Sequence, residues 1–242
     1  MGRISKSYKN TVISNKNVLA IIPARGGSKR LPNKNILDIG GKPMISWTIE
    51  ASLKSKYIDQ VYVSSEDENI IQISTNSGSK IIKRPEILAN DEASTLSVLN
   101  HAISKIDTQF EYIILLQPTS PLRNHVHIDE ALELIIKEKA NAVISVCKTN
   151  HSPQWSNMLP ENGNMDNFID QKIKDKRSQD LDQYYRINGA IYIYKINELI
   201  DQQTLFLNKK TFAYVMERNC SVDIDTRIDF ELCSILLTSN LI

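Results

Sequence analysis

The sequence has no apolar run approaching the length of a membrane span and no cysteine pair at metal-ligand or redox spacing. Its three cysteines, Cys147, Cys220 and Cys233, are scattered. An odd, dispersed set argues against a disulfide framework and a zinc site and fits a reducing compartment, so a cytoplasmic protein is expected. An excess of either charge is missing too: 29 Lys and Arg face 28 Asp and Glu, a formal net charge of +1. No global field recruits nucleic acid or a membrane, and any anion must be met by local placement of cations. Residues 1–16 are basic and polar, without the apolar segment of a secretory signal. They read as a flexible extension, leaving 17–242 as a single domain.

What is present is an alternation. Strand-like runs VLAIIP (18–23), VYVSS (61–65), KIIKRP (80–85), YIILLQP (112–118) and AVISV (142–146) are separated by helical patterns at 43–53, 66–76, 94–106 and 127–139. This order predicts an α/β, Rossmann-like, doubly wound, mainly parallel sheet with right-handed crossovers. The rhythm breaks over a polar stretch at about 147–185, too long for a simple connection, which reads as an inserted arm. It resumes with GAIYIYK (189–195), TFAYVM (211–216) and a closing helix from about Thr226 to Leu237.

Ligands of such sheets sit beyond the carboxyl ends of the strands. The first strand runs straight into ARGGSKRLPNKN, with Arg25, Lys29, Arg30 and Lys34 around Gly26 and Gly27. Paired glycines tolerate positive φ and let backbone N–H groups approach a phosphate, while the cations surround the same anion. The loop has neither the GxxxxGK-Ser/Thr nor the GxGxxG pattern. A solvated basic turn is the plain reading of such a segment. Its position after the first strand favours a polyphosphate site.

PARGGSKRLPNKN closely resembles the signature of the CMP-N-acylneuraminate synthetases, cytidylyltransferases that activate sialic acids. RPEILANDEAST (84–95), LLQPTSPLR (115–123), YRINGAIYI (185–193) and SVDIDT (221–226) agree with the same family in order and spacing, so the resemblance covers nearly the whole chain from residue 18. It implies the reaction of CTP with a nonulosonic acid to give CMP-sugar and pyrophosphate, with Mg²⁺. It also implies that the arm builds a homodimer. No fused esterase domain is expected after the closing helix.

The resemblance assigns Arg25, Lys29 and Lys34 to the triphosphate, with Arg25 and Lys29 catalytic because preplaced cations stabilise charge growing on departing pyrophosphate. Asn35, Gly26 and Gly27 complete the phosphate loop; Ala93 and Thr95 lie along base and ribose; Arg84 reads the cytosine. Ser94 or Thr95 also suits a helix cap. Gln117 contacts the sugar, and the fork of Arg186 takes its carboxylate. Arg177 lies one position from the register of a second family arginine. Asn188 follows the motif, and Tyr192 and Phe206 either wall the N-acyl group or belong to the core. Arg123 is divided evenly between substrate binding and a helix-start or surface place. Arg30 is left facing solvent.

Asp223 and Asp225 alternate in an extended D-I-D segment, so both carboxylates share a face and repel unless a cation joins them. They are the expected catalytic Mg²⁺ ligands, where the metal bridges phosphate oxygens and acidifies the anomeric hydroxyl. Legionaminic acid, pseudaminic acid and Kdo remain rival sugars. A non-catalytic nucleotide-sensing module is the rival of another class, and it would typically have lost Lys29 or one of the aspartates.

Overall fold

The computed structural model describes residues 17–107 and 109–239. The expected N-terminal extension lies outside the described residues. β1, Val18–Pro23, is buried from Val18 to Ile22, as its unbroken apolar, β-branched sequence requires of a central strand. A short hairpin, β2 (Asp38–Ile39) and β3 (Lys42–Pro43), leads into α1, Met44–Lys54. β4 (Gln60–Ser65), α2 (Glu68–Asn76) and β5 (Lys80–Lys83) follow, then α3 (Thr95–Ser104) and β6 (Tyr112–Leu115). α4 (His125–Lys137) and β7 (Ala142–Lys148) complete the first part of the chain. Beyond the arm come β8 (Tyr185–Lys195), α5 (Ile196–Gln202), β9 (Thr211–Val215) and α6 (Arg227–Thr238).

Seven strands form one sheet in the order β5–β4–β1–β6–β8–β7–β9. β1 pairs in parallel with β4 and β6, β4 with β5, and β7 with β9. β8 is antiparallel to both its neighbours, β6 and β7. The sheet is thus mainly parallel, with one reversed strand. The reversal follows from the arm, which joins β7 to β8 as a very long hairpin loop closed by the Thr149 N–H on the Tyr184 carbonyl at 2.9 Å. The arm spans 149–184 and holds two single-turn 3₁₀ segments, Pro153–Trp155 and Ser178–Asp180. Among its residues only Ile173 is a buried hydrophobe. No helix among the described residues is long and apolar enough to cross a membrane.

Apolar residues cover both faces of the sheet. A third cluster, with Leu31, Ile39, Met44, Leu122, Ile224, Phe230 and Cys233, lies under the loop that follows β1. Fully burying one such Leu or Ile contributes about 1.5–3 kcal/mol. Leu31 and Ile224 therefore anchor the cationic loop and the D-I-D segment to the same base. Side-chain caps set the helix starts: Asp67 on Ile70 N–H, Ser94 on Ser97 N–H, and reciprocal Asn124–His127 and Thr226–Asp229 boxes. The cap before α3 is Ser94, which leaves Thr95 as the first helical residue.

Candidate active site

The sheet order reverses between β1 and β6, since β1 continues through β4 to β5 on one side and meets β6 on the other. A crevice is expected at such a point, and one is found there. It is a cavity of 650 Å³ whose lining includes Arg25, Lys29, Arg30, Lys34, Asn35, Arg84, Ala93, Thr95, Gln117, Asp223 and Asp225. A second cavity of 820 Å³ adjoins it through Asp223 and Asp225 and is lined by Arg186, Arg218 and Ser221.

The cationic loop is held from below. The Asn35 side-chain amide donates to the Arg25 carbonyl at 3.0 Å. The Gly26 N–H donates to Glu66 Oε1 at 2.7 Å, and Arg84 donates to Glu66 Oε2 at 2.9 Å. Glu66, just past β4, thus joins the loop to Arg84. The two glycines differ from expectation: neither is in the left-handed region. The Gly26 N–H is committed to Glu66 rather than offered to a phosphate, and a Cβ there would stand 2.5 Å from Asp67 Oδ2, so packing against the start of α2 requires the glycine. A Cβ on Gly27 would meet nothing within 4 Å.

The four cations are already paired. Arg25 meets Asp91 Oδ1 at 2.7 Å and Lys29 meets Asp91 Oδ2. Lys34 donates to the Ile224 carbonyl at 2.6 Å and meets Asp225 at 3.2 Å, while Arg30 meets Asp225 at 3.1 Å. Arg30 therefore does not merely face solvent. The two neighbouring cations hold the Asp91 carboxyl below the usual carboxylate range. Asp223 moves the other way: burial raises it, the Thr119 hydrogen bond opposes, and the Asp225 charge adds to the rise. The D-I-D segment is irregular rather than a strand, yet the alternation holds, with Ile224 fully buried between two cleft-facing carboxylates. The Ile224 N–H donates to the Thr119 carbonyl at 2.8 Å, which ties this segment to the turn after β6.

Gly189 shapes the floor of the site. Its φ of +77° suits glycine, and a Cβ would stand 3.0 Å from Gln117 Oε1 and 3.5 Å from Asp223 Oδ2. The β7–β8 register shifts beside it, between Ile144 and Val146. Ser145 bridges the irregularity by donating to Asn188 at 2.6 Å and accepting from the Ile191 N–H at 2.8 Å. Asn188 is buried, and its amide donates to Ser221 Oγ at 2.9 Å. It holds the approach to Asp223 and does not line either cavity, contrary to the sugar contact expected of it. Arg186 donates to the Ser221 carbonyl at 3.1 Å and lines the second cavity.

Two other expected residues lie elsewhere, and Tyr192 takes the core alternative open to it. Arg177 is exposed on the arm and paired with Asp180 at 3.0 Å. Phe206 is exposed beyond α5 and lines neither cavity. Tyr192 belongs to the core cluster on one face of the sheet. Arg123 takes the helix-start place, one residue before the Asn124 cap of α4, but not on the surface: it is fully buried, donates to Thr48 Oγ1 at 2.8 Å, and burial pushes its guanidinium down to about 9. Sequence reasoning missed Asp91, Glu66 and Thr119. Asp91 and Thr119 each carried a signal, as polar residues inside the RPEILANDEAST and LLQPTSPLR motifs; Glu66 carried none.

Comparison with known proteins places these features. A family model described as cytidylyltransferase matches residues 19–236. The chain is 39% identical over 216 residues to an N-acylneuraminate cytidylyltransferase of Escherichia coli, covering 89% of this chain and 51% of that one. It thus spans about half the length of that relative. It is 36% identical over 226 residues to a pseudaminic acid cytidylyltransferase of Campylobacter jejuni, covering 92% of this chain and 97% of the relative. A CMP-N,N'-diacetyllegionaminic acid synthase of Legionella pneumophila is 33% identical over 233 residues, with 97% of it covered. In fold, the chain is similar to a CMP:2-keto-3-deoxy-manno-octonic acid synthetase complexed with CTP, at a TM-score of 0.69 and 20% identity, over 93% of this chain and 100% of that one.

Proposed function

The chain belongs to the cytidylyltransferase family, and from that premise we propose that it transfers CMP from CTP to the anomeric hydroxyl of a nonulosonic acid, releasing pyrophosphate. One observation carries the reading: Arg25, Lys29, Arg84, Gln117 and the two aspartates of the D-I-D segment line one cleft at the switch point of the sheet. Cations at one end suit a triphosphate. Arg186 in the adjoining cavity suits a sugar carboxylate.

Arg25 and Lys29 take the phosphates and stabilise the charge that collects on pyrophosphate as the bond to the α-phosphorus breaks. Asn35 and Glu66 hold the loop that presents them. Arg84 keeps one buried nitrogen, Nε, without a partner, a donor suited to a pyrimidine carbonyl. Gln117, held against Gly189, offers a neutral amide to sugar hydroxyls.

Asp223 and Asp225 would hold Mg²⁺. Their chemistry fits: Asp223 is a half-buried carboxylate raised by burial and by its neighbour, a condition that a divalent cation relieves. Among the described residues no cluster of three or more ligating side chains forms, so a metal here would draw on phosphate oxygens as well. Bound there, Mg²⁺ supplies positive charge to the phosphate oxygens and acidifies the attacking hydroxyl.

The arm is the proposed dimer element. Met158, Leu159 and Met165 are largely exposed on a segment with almost no core of its own, as expected of a surface that a second copy covers. Phosphorus NMR of a mixture of protein, CTP, Mg²⁺ and sugar acid tests the reaction. A new CMP-glycoside resonance appearing with pyrophosphate supports it; CDP with inorganic phosphate would overturn it.

A further inference from the structure

The pairing of Asp91 has no place in the reaction above, and it lies across the part of the cleft that a triphosphate would need. Asp91 offers one oxygen to Arg25 at 2.7 Å and the other to Lys29, so a single carboxylate occupies both cations. A carboxylate shared between one guanidinium nitrogen and an ammonium presents negative charge through two acceptor oxygens, as a phosphate does. Its backbone is stiffly held: Asn90 Oδ1 accepts from the Glu92 N–H at 3.0 Å and the Ala93 N–H at 2.8 Å, and the Ser94 cap follows. Asp91 is therefore presented by a turn, while Arg25 and Lys29 reach it from across the cleft.

The solvent exposure of the group shows that this contact is not structural cement. The Lys29 side chain is 81% exposed and that of Asp91 45%. Exposed ion pairs add little to stability. Asp225 pairs with Arg30 and Lys34 on the far side, so each of two carboxylates is shared by two loop cations, which leaves the loop with net positive charge.

We propose that Asp91 is a tethered stand-in for phosphate: it holds Arg25 and Lys29 before a nucleotide binds, yields them to a polyphosphate, and takes them back as pyrophosphate leaves. The inference rests on the proposed nucleotidyl transfer at this cleft. A nucleoside brings no charge to displace Asp91, whereas a triphosphate brings several, so the residue sets selectivity for polyphosphate. Recapture of the two cations keeps the doubly paired product from being held too long.

Asp91→Asn tests this, because it removes the charge, keeps the shape and leaves the Asn90 turn intact. Calorimetric titration of the full chain with pyrophosphate, and separately with CTP, is made without metal and then with Mg²⁺. Asp91→Asn should bind both about three- to tenfold more tightly at low salt, with the gain shrinking as salt rises. Cytidine should bind the two proteins alike. In turnover, the variant should be inhibited by pyrophosphate at a correspondingly lower concentration. Weaker pyrophosphate binding in Asp91→Asn would make the aspartate a positioning residue for the cations. Weakening seen only with Mg²⁺ would make it a metal ligand. Unchanged binding would make the pair a bystander. Each of these overturns the inference and leaves the transfer reaction standing. If the unaltered protein binds neither pyrophosphate nor CTP, the reading of the cleft fails and the inference with it.

Discussion

Asp223 and Asp225 share one cleft and are compensated unequally: Asp225 pairs with Arg30 at 3.1 Å and Lys34 at 3.2 Å, while no ion pair among the described residues reaches Asp223. Burial raises the Asp223 carboxyl, the hydrogen bond from Thr119 offsets part of this, and the charge of Asp225 adds to it. The folded value thus exceeds the unfolded one. As pH rises from the acid side, the unfolded chain releases this proton first, the folded state binds more protons, and stability falls across that window. The loss persists to neutral pH. Asp223→Asn removes it, so the metal-free variant should melt higher at pH 7, by about 2–4 °C per kcal/mol relieved in a chain this long. The same variant should lose turnover and any stabilisation by Mg²⁺, which the unaltered protein is expected to gain. Thermal melts with and without Mg²⁺ check both.

Lys29 and Arg30 are adjacent and should separate in kinetics. Both line the cleft in exposed ion pairs, Lys29 with Asp91 at the proposed phosphate end and Arg30 with Asp225 beside the proposed metal site. Lys29→Ala should lower kcat by roughly 10²–10³, the loss typical of removing one donor from developing charge. Arg30→Ala removes an interaction worth about 0.2–1 kcal/mol and should cost less than about tenfold. Equal losses in the two variants would show that the loop has been sorted wrongly.

Gly189→Ala places a methyl group 3.0 Å from Gln117 Oε1 on a backbone with φ of +77°. The conformation alone costs about 1–2 kcal/mol for an L side chain. Displacement of Gln117 adds a local effect on the sugar side. The variant should melt lower, and its KM for the sugar acid should rise more than its KM for CTP. Steady-state kinetics with each substrate varied in turn reads the difference.

Glu66→Gln should loosen the loop without touching the phosphates. Glu66 bridges Gly26 N–H and Arg84, and its side chain is 17% exposed against 4% for Arg84. Removing the charge leaves Arg84 buried without a counterion, a change that costs about 3–5 kcal/mol where burial is complete and less here. A lower Tm with a raised KM for CTP is expected, and thermal melts with initial-rate assays measure both.

Much of this architecture is written locally in the chain. The continuous apolar runs of β1 and β6 and the polar caps at Ser94 and Thr226 are short-range signals, and the helices and parallel strands follow from them. The reversed direction of β8 is not local, because the pattern of a buried strand reads the same in either sense; only the return path of the arm sets it. The cleft shows the same division. The basic loop and the D-I-D alternation are visible as residue types. What Gly26 is for depends on Asp67, forty-one positions later, and what Arg25 holds depends on Asp91. Asn188 looked like a ligand residue because it sits in a functional motif, yet its amide is consumed in holding Ser221. Residues that position a site occupy the same short motifs as those that touch substrate, and partners distant in sequence decide between them.

The most direct measurement is pyrophosphate release from CTP and Mg²⁺ with N-acetylneuraminic, legionaminic and pseudaminic acids and Kdo offered one at a time. The account predicts release that requires both CTP and one of the first three acids, and that disappears in Lys29→Ala. No release with any of them, from a protein that binds CTP, would contradict nucleotidyl transfer and favour a nucleotide-sensing module.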